Sequence, residues 1–197
     1  MLITLEGIDG SGKTTVWEAL KEREMFDECV FTREPTDSEY GTLLRENLKA
    51  DTEDIFTELF LFMADHANHV ADTIKPAISD NSVVICDRYI DSRCAYQGYT
   101  LNGDAHIQDA VRFVYGLHES WSYFPNVTIL IDVSPETSIE RLDSNEKYET
   151  VNKLRRVKEN YELLSTIDNH RYHVVDGEQT KEDVIDDVTN IVSNYVA

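Results

Sequence analysis

The run Gly7-Ile8-Asp9-Gly10-Ser11-Gly12-Lys13-Thr14 has the spacing Gly-x-x-x-x-Gly-Lys-[Ser/Thr], which is a device for holding phosphate. The glycines let successive backbone N–H groups converge on phosphate oxygens, and the following helix adds the partial positive charge of its N-terminus. Lys13 is placed to reach β- and γ-phosphates, and Thr14 to set its hydroxyl on Mg²⁺. Asp87 closes the apolar run Val83-Val84-Ile85-Cys86. At the carboxyl end of a parallel strand, its carboxylate should emerge beside those phosphates and serve the same Mg²⁺, directly or through water. Arg88, next in the chain, can grip a phosphate with its planar fork. Arg33 emerges from the second strand on the same edge, and Arg45 follows on the next helix. In a chain poor in basic residues these arginines weigh more together than any of them alone.

Phosphoryl transfer asks for two phosphates held in line, with cations over the oxygens where charge develops. The polar interruption from Arg141 to Glu149 separates two helical patterns and is suited to a mobile lid. Arg141 and Lys147 are its basic residues.

The elements that must position these groups follow from hydrophobic periodicity. Apolar runs alternate with longer helical patterns, the layout of βαβ units and a parallel sheet. Strands are expected near 2–6, 29–33, 83–87, 126–132 and 171–175, and helices near 13–24, 39–48, 53–79, 105–120, 135–143, 149–167 and 180–195. The expected architecture is a three-layer α/β/α fold with a five-stranded parallel sheet, forming a single domain over residues 1–197. In the long third helix, Phe56, Leu59, Phe60, Met63, Ala67, Val70 and Ile74 form a core-facing stripe. Phe62, His66 and His69 lie on its shoulder and share a direction. They could line a cleft; otherwise Phe62 is core and the histidines are solvated or bonded locally. A metal site built on the two histidines lacks further ligands nearby.

Composition excludes several classes. The 197 residues carry 18 Lys+Arg against 38 Asp+Glu, a formal charge of −20, which repels nucleic acid and anionic membranes over most of the surface. Such an excess of acid fits a protein adapted to very high salt, where ions screen the self-repulsion. Three cysteines, Cys29, Cys86 and Cys94, suggest neither a disulfide framework nor a zinc site. With no apolar run of membrane-spanning length and no charged leader, a cytoplasmic protein is expected.

These stretches together resemble the thymidylate kinase family, P-loop nucleoside monophosphate kinases, over most of the chain. The likeness rests on Glu6-Gly7-Ile8-Asp9-Gly10-Ser11-Gly12-Lys13-Thr14-Thr15, on Thr32-Arg33-Glu34-Pro35, and on Leu61-Phe62-Met63-Ala64-Asp65. It rests above all on Asp87-Arg88-Tyr89 through Ser92 to Ala95-Tyr96-Gln97-Gly98. The resemblance implies ATP and Mg²⁺ on the donor side, dTMP as acceptor, dTDP as product, and a homodimer. It implies that Gly7 to Thr15 hold the donor and that Asp176 and Gly177 lie where the adenine is placed. Asp9 would contact the acceptor sugar and phosphate region, and Arg88 and Arg45 would hold the dTMP phosphate with Arg33 in support. Phe62 would stack on thymine, and Glu34, Pro35, Tyr96 and Gln97 would complete the acceptor pocket.

Three departures from the family pattern matter. His66 stands where an arginine usually reads a thymine carbonyl, and imidazole cannot reproduce the forked donor. Arg93, at a position commonly small and polar, is suggested to supply the missing donor. Thr36-Asp37-Ser38 replaces the usual Gly-Gly-Thr after Pro35. Finally, Gly10 stands where one branch carries a loop arginine, so the extra cation should come from the lid, Arg141 first and Lys147 as helper. Competing readings are a kinase for another acceptor, a GTP-dependent switch, and a non-catalytic ATP-binding protein. The switch reads guanine with Asn-Lys-x-Asp, whereas Asn152-Lys153-Leu154-Arg155 lacks the Asp.

Overall fold

A computed structural model of the chain describes residues 1–50, 54–102, 107–142 and 150–196. Five strands, β1 (Leu2–Glu6), β2 (Val30–Arg33), β3 (Val84–Asp87), β4 (Val127–Asp132) and β5 (Tyr172–Asp176), form one sheet in the order β2-β3-β1-β4-β5. Every pairing is parallel, with Leu5 and Arg33 both in register with Asp87. Each strand is short, rich in β-branched residues and ends on a charged residue: Glu6, Arg33, Asp87, Asp132 or Asp176. The apolar runs thus stop where the strands reach the ligand-binding edge of an open parallel sheet.

Strand alternation divides the core in two. Leu2, Val84 and Cys86 face one layer, against helices α3 (Ile55–His69), α5 (Ile90–Leu101), α6 (Ala110–Glu119) and α8 (Val151–Ile167). Ile3, Leu5 and Ile85 face the other, against α1 (Lys13–Lys21) and α9 (Lys181–Ser193). The expected three layers are therefore present. The remaining helices are α2 (Glu39–Ala50), α4 (Lys75–Ser79) and α7 (Pro135–Arg141).

Helix termini show which end is kept open. Asp54, Asp109, Ser134, Thr150 and Thr180 cap α3, α6, α7, α8 and α9 by accepting from backbone N–H groups. Helix α1 has no such cap: Gly12, at φ 95°, precedes it with no side-chain hydrogen bond, and α5 lacks one too, although Glu6 takes the Tyr89 N–H ahead of it. The first N–H groups of α1 stay available to an anion.

The strand positions agree with the sequence within a residue or so, while the helices differ more. The long segment 53–79 divides into α3, a π-helical turn over Val70–Ile74, and α4. Its buried face is rotated from the expected stripe. Phe60 is 57% exposed, whereas Phe62, Asp65, His66 and His69 are buried with Leu59. Polar residues with dedicated partners occupy core positions there, and hydrophobic periodicity counts them as surface. Helix α5 has no counterpart in the sequence reading. Its sequence, IDSRCAYQGYTL, lacks an apolar stripe because nearly all of it is buried between other helices. The expected helix 105–120 starts only at Ala110 within the described residues, and the expected first helix ends at Lys21, before a separate turn at Glu24–Phe26.

Candidate active site

The loop between β1 and α1 has little room for side chains. A Cβ on Gly7, at φ 145°, would meet the Ile131 carbonyl at 2.5 Å, and one on Gly10, at φ 75°, would meet the Ser138 carbonyl at 2.5 Å. Gly10 therefore has no space for the arginine that one branch of such loops carries. Inside the loop Lys13 is buried and donates from Nζ to the Ile8 carbonyl at 2.7 Å and to Ser11 Oγ at 3.2 Å. Burial and the nearby Arg88 push its pKa down to about 7.

Asp87 and Thr14 meet as the sequence predicts: Thr14 Oγ1 donates to Asp87 Oδ2 at 2.8 Å. The other carboxylate oxygen, Oδ1, is buried with no hydrogen-bond partner. An orphaned carboxylate oxygen beside a threonine hydroxyl suits a hard cation that keeps several waters and takes its other ligands from phosphate. Among the described residues no cluster of three or more His, Cys, Asp or Glu could hold a metal by itself.

Arg88 lies at φ 67°, in the left-handed region, a strained conformation for a side chain with a Cβ. Its guanidinium contacts Asp9 Oδ1, the Gly7 carbonyl at 3.3 Å and Ser92 Oγ at 3.1 Å, and lies 5.3 Å from the Tyr96 ring centroid. Tyr96 Oη accepts from the Asp9 N–H at 2.9 Å and donates to Asp9 Oδ2 at 2.8 Å. Burial would raise the Asp9 pKa, but Arg88, Lys13, Tyr96 and Lys153 outweigh it and lower the value below 3.8. The acid inside the anion-binding loop is thereby kept ionised and neutralised.

A cavity of about 660 Å³ opens beside this pair, a volume suited to a nucleotide-sized ligand. Of the predicted residues, Asp9, Pro35, Phe62, Arg88, Arg93, Tyr96 and Gln97 line it. Helix α5 supplies Arg93, Tyr96 and Gln97, and it is anchored by Asp91, which takes two bonds from buried Arg171 at 2.6 and 2.7 Å. At the far end the Arg93 guanidinium lies 4.0 Å from the Phe62 ring centroid, and its Nε has no partner. Arg93 Nη2 donates to Glu34 at 3.1 Å. Glu34 is buried and also contacts Nδ1 of His66 at 2.8 Å and of His69 at 2.7 Å. Burial alone would raise the Glu34 pKa, but His66, His69 and Arg93 hold it well below 4.5.

Four expected site residues are placed elsewhere. His66 is wholly buried, with one ring nitrogen on Glu34 and the other 2.7 Å from Ser122 Oγ, so neither nitrogen faces the cavity. Glu34 lies behind the wall and holds Arg93. Arg45 donates to the Pro35 and Thr36 carbonyls at 3.2 and 2.6 Å and braces their loop. Arg33 is exposed, 5.8 Å from the Trp17 ring, and lines a separate hollow of about 460 Å³. Arg33→Ala should leave the kinetic constants within about twofold, as surface substitutions do; a larger rise in acceptor KM in steady-state assays would return Arg33 to the site.

Arg141 donates to the Gly177 carbonyl at 3.0 Å, tying α7 to the turn after β5. Asp176 ends β5, and its Oδ1 accepts from the Glu178 N–H at 2.9 Å. Thr15 is exposed on the first turn of α1. Lys147 and most of the expected lid, 143–149, lie outside the described residues. The sequence reading missed Lys153, Glu58 and Thr100 in the cavity wall. A lysine two positions inside the helix capped by Thr150 was the only available signal for Lys153.

Glu6 lies directly beneath the loop. Burial and the Asp91 charge push its pKa up to about 7. Because the folded value exceeds 4.5, Glu6 favours the fold fully below that pH and progressively less as pH rises through about 7. Glu6→Gln should flatten the fall in melting temperature across that window. An unchanged slope in a pH series of thermal melts would assign the titration to another group.

Known proteins resemble the chain over nearly its whole length. The profile of the thymidylate kinase family matches residues 5–188. A probable thymidylate kinase of Halorubrum lacusprofundi is 44% identical over 197 residues, covering 100% of this chain and 99% of the relative. One of Halobacterium salinarum is 46% identical over 187 residues, covering 95% and 92% respectively. The crystal structure of thymidylate kinase from Ehrlichia chaffeensis superposes with a TM-score of 0.71 at 33% identity, over 98% of each chain. Haloarchaeal relatives accord with the strongly acidic composition. The chain belongs to the thymidylate kinase family.

Proposed function

We propose that the protein transfers the γ-phosphoryl group of ATP to dTMP, giving dTDP and ADP. The observation that carries this reading is the single cavity running from Asp9 and Arg88, beside the phosphate loop, to Phe62 and Arg93. One end suits a phosphate and the other a planar base. The uncapped α1 N-terminus and Lys13 receive the donor phosphates, with Ser11, Gly12, Thr14 and Thr15 around them. Thr14 and Asp87 would hold Mg²⁺, whose charge offsets that of the phosphates and of the oxygens in flight.

Arg88 binds the acceptor phosphate, while Asp9, kept ionised and fixed by Tyr96, receives the sugar and the phosphate region. Phe62, Arg93 and Gln97 receive thymine, with Arg93 in the donor role that buried His66 cannot play. Lys153 lines the same cavity and lowers the Asp9 pKa, so it supplies a cation that Gly10 cannot. Arg141 and Gly177 frame the donor base. The chain acts as one domain and as a homodimer, supported by the exposed apolar Leu43, Phe60 and Phe113 on α2, α3 and α6. Its free cysteines suit the cytoplasm, and among the described residues no helix is long and apolar enough to cross a membrane.

A coupled ADP-release assay with dTMP, dUMP, dCMP and thymidine tests the acceptor. The expected result is Mg²⁺-dependent turnover of dTMP and none of thymidine. Brisk turnover of thymidine without dTMP would replace this reading with a deoxynucleoside kinase.

A further inference from the structure

The last residue of β1 is an acid, at a position as fully buried as Leu5. Glu6 is wholly buried, and it is the first charged group beneath the phosphate loop. Burying a carboxylate is costly unless each oxygen finds donors. Here both do: Oε1 accepts from the Tyr89 N–H at 2.8 Å, and Oε2 accepts from Ser92 Oγ at 2.5 Å and Tyr161 Oη at 3.2 Å.

Those donors are informative because two of them bear directly on Arg88. Tyr89 is the residue immediately after Arg88, so Oε1 fixes the peptide on the far side of the left-handed φ of 67°. Ser92, in the first turn of α5, accepts from Arg88 Nη1 at 3.1 Å while giving its own proton to Glu6. The carboxylate therefore holds Arg88 at two points, its backbone and its guanidinium. Tyr161, 2.8 Å from Ser92 Oγ, closes the network from α8. A strained residue persists only where its surroundings over-determine it, and this network does so.

We propose that Glu6 is the positioning residue for Arg88, setting the guanidinium through the Tyr89 N–H and the Ser92 hydroxyl for its contact with the acceptor phosphate. This rests on the assignment of Arg88 to the acceptor. Glu6 itself touches no substrate. Its two arms can be removed separately. Ser92→Ala cuts the side-chain arm and leaves the backbone arm. Glu6→Gln keeps the shape but turns an amide NH₂ toward two hydroxyls, so the Ser92 proton loses its charged acceptor.

Steady-state kinetics of the full-length protein in both substrates, with equilibrium binding of dTMP and of a non-hydrolysable ATP analogue, provide the test. The expected result for Ser92→Ala is a rise of about tenfold in KM and Kd for dTMP, the weight of one hydrogen bond to a charged group. The ATP constants should stay within about twofold. Glu6→Gln should shift the same constants in the same direction, and Ser92→Thr, which restores the hydroxyl, should recover most of the loss. If Glu6→Gln does not fold, Glu6→Asp, which keeps the charge but draws it back from Ser92 and the Tyr89 N–H, takes its place with the same expected shift. Equal losses for ATP and dTMP, or a lowered melting temperature with unchanged dTMP constants, would make Glu6 a purely structural group and overturn the assignment. A wild-type protein that neither binds nor phosphorylates dTMP would overturn the acceptor reading and this inference with it.

Discussion

Replacing Lys13 with methionine should lower kcat by about three orders of magnitude while leaving the fold intact. The size follows from where the ammonium acts. Removing one preorganised donor aimed at developing charge costs about 10²–10³ in rate, and cations on a transferring phosphoryl group reach 10³ or more. The structure shows why the loss of Lys13 should not unfold the chain. Its Nζ bonds only within its own loop, to the Ile8 carbonyl and Ser11, and among the described residues it forms no ion pair with a carboxylate. Burial and Arg88 outweigh the pull of Asp9, Asp87 and Glu6 and push its pKa down to about 7, so in the ligand-free protein the charged form of the buried amine is disfavoured. Methionine keeps the apolar stem without that charge, and the ligand-free variant should melt at or above the wild-type temperature. A coupled assay with thermal melts checks both halves. Retention of more than about a tenth of the wild-type rate would show that the α1 N-terminus and the bound cation carry the phosphoryl group without Lys13.

How much of this was legible in the sequence depends on what buries each residue. The strands were readable because continuous β-branched runs such as Val127–Asp132 admit few other structures, and the phosphate loop because its spacing serves one geometry. The approach of Asp87 to Thr14 followed from its place at the carboxyl end of a parallel strand. Helix α5 was hidden because its buried faces are polar. Asp91 pairs with Arg171, Ser92 with Glu6 and Arg93 with Glu34, and each partner is distant in the chain. The same cause rotated the expected face of α3, where Asp65 takes the Thr36 N–H at 2.9 Å and His66 and His69 meet on Glu34. Arginines were legible in type but not in direction. Arg33 ends β2 and Arg88 follows β3, yet one lies against Trp17 and the other turns through a left-handed φ to Asp9.

That turn makes Arg88 the position at which function and backbone strain can be separated by experiment. A residue with a Cβ at φ 67° costs about 1–3 kcal/mol, and glycine escapes most of it. Arg88→Gly therefore removes the guanidinium and relieves the backbone together, whereas Arg88→Ala removes the guanidinium and keeps the strain. Both variants lose the contacts to Asp9, the Gly7 carbonyl and Ser92, and both leave Asp9 without its main cation inside an anion-binding loop. Truncating one member of such a charge pair costs about 2–5 kcal/mol, so kcat/KM for dTMP should fall by about 10²–10³ in each. Their stabilities should diverge. Arg88→Gly offsets the lost contacts with backbone relief and should melt above Arg88→Ala. Equal melting temperatures would show that the surrounding network, with Glu6 on the Tyr89 N–H, holds the left-handed turn at no cost to the fold. Wild-type kcat/KM in the glycine variant would remove Arg88 from the acceptor site and leave the phosphate end of the cavity to Lys153.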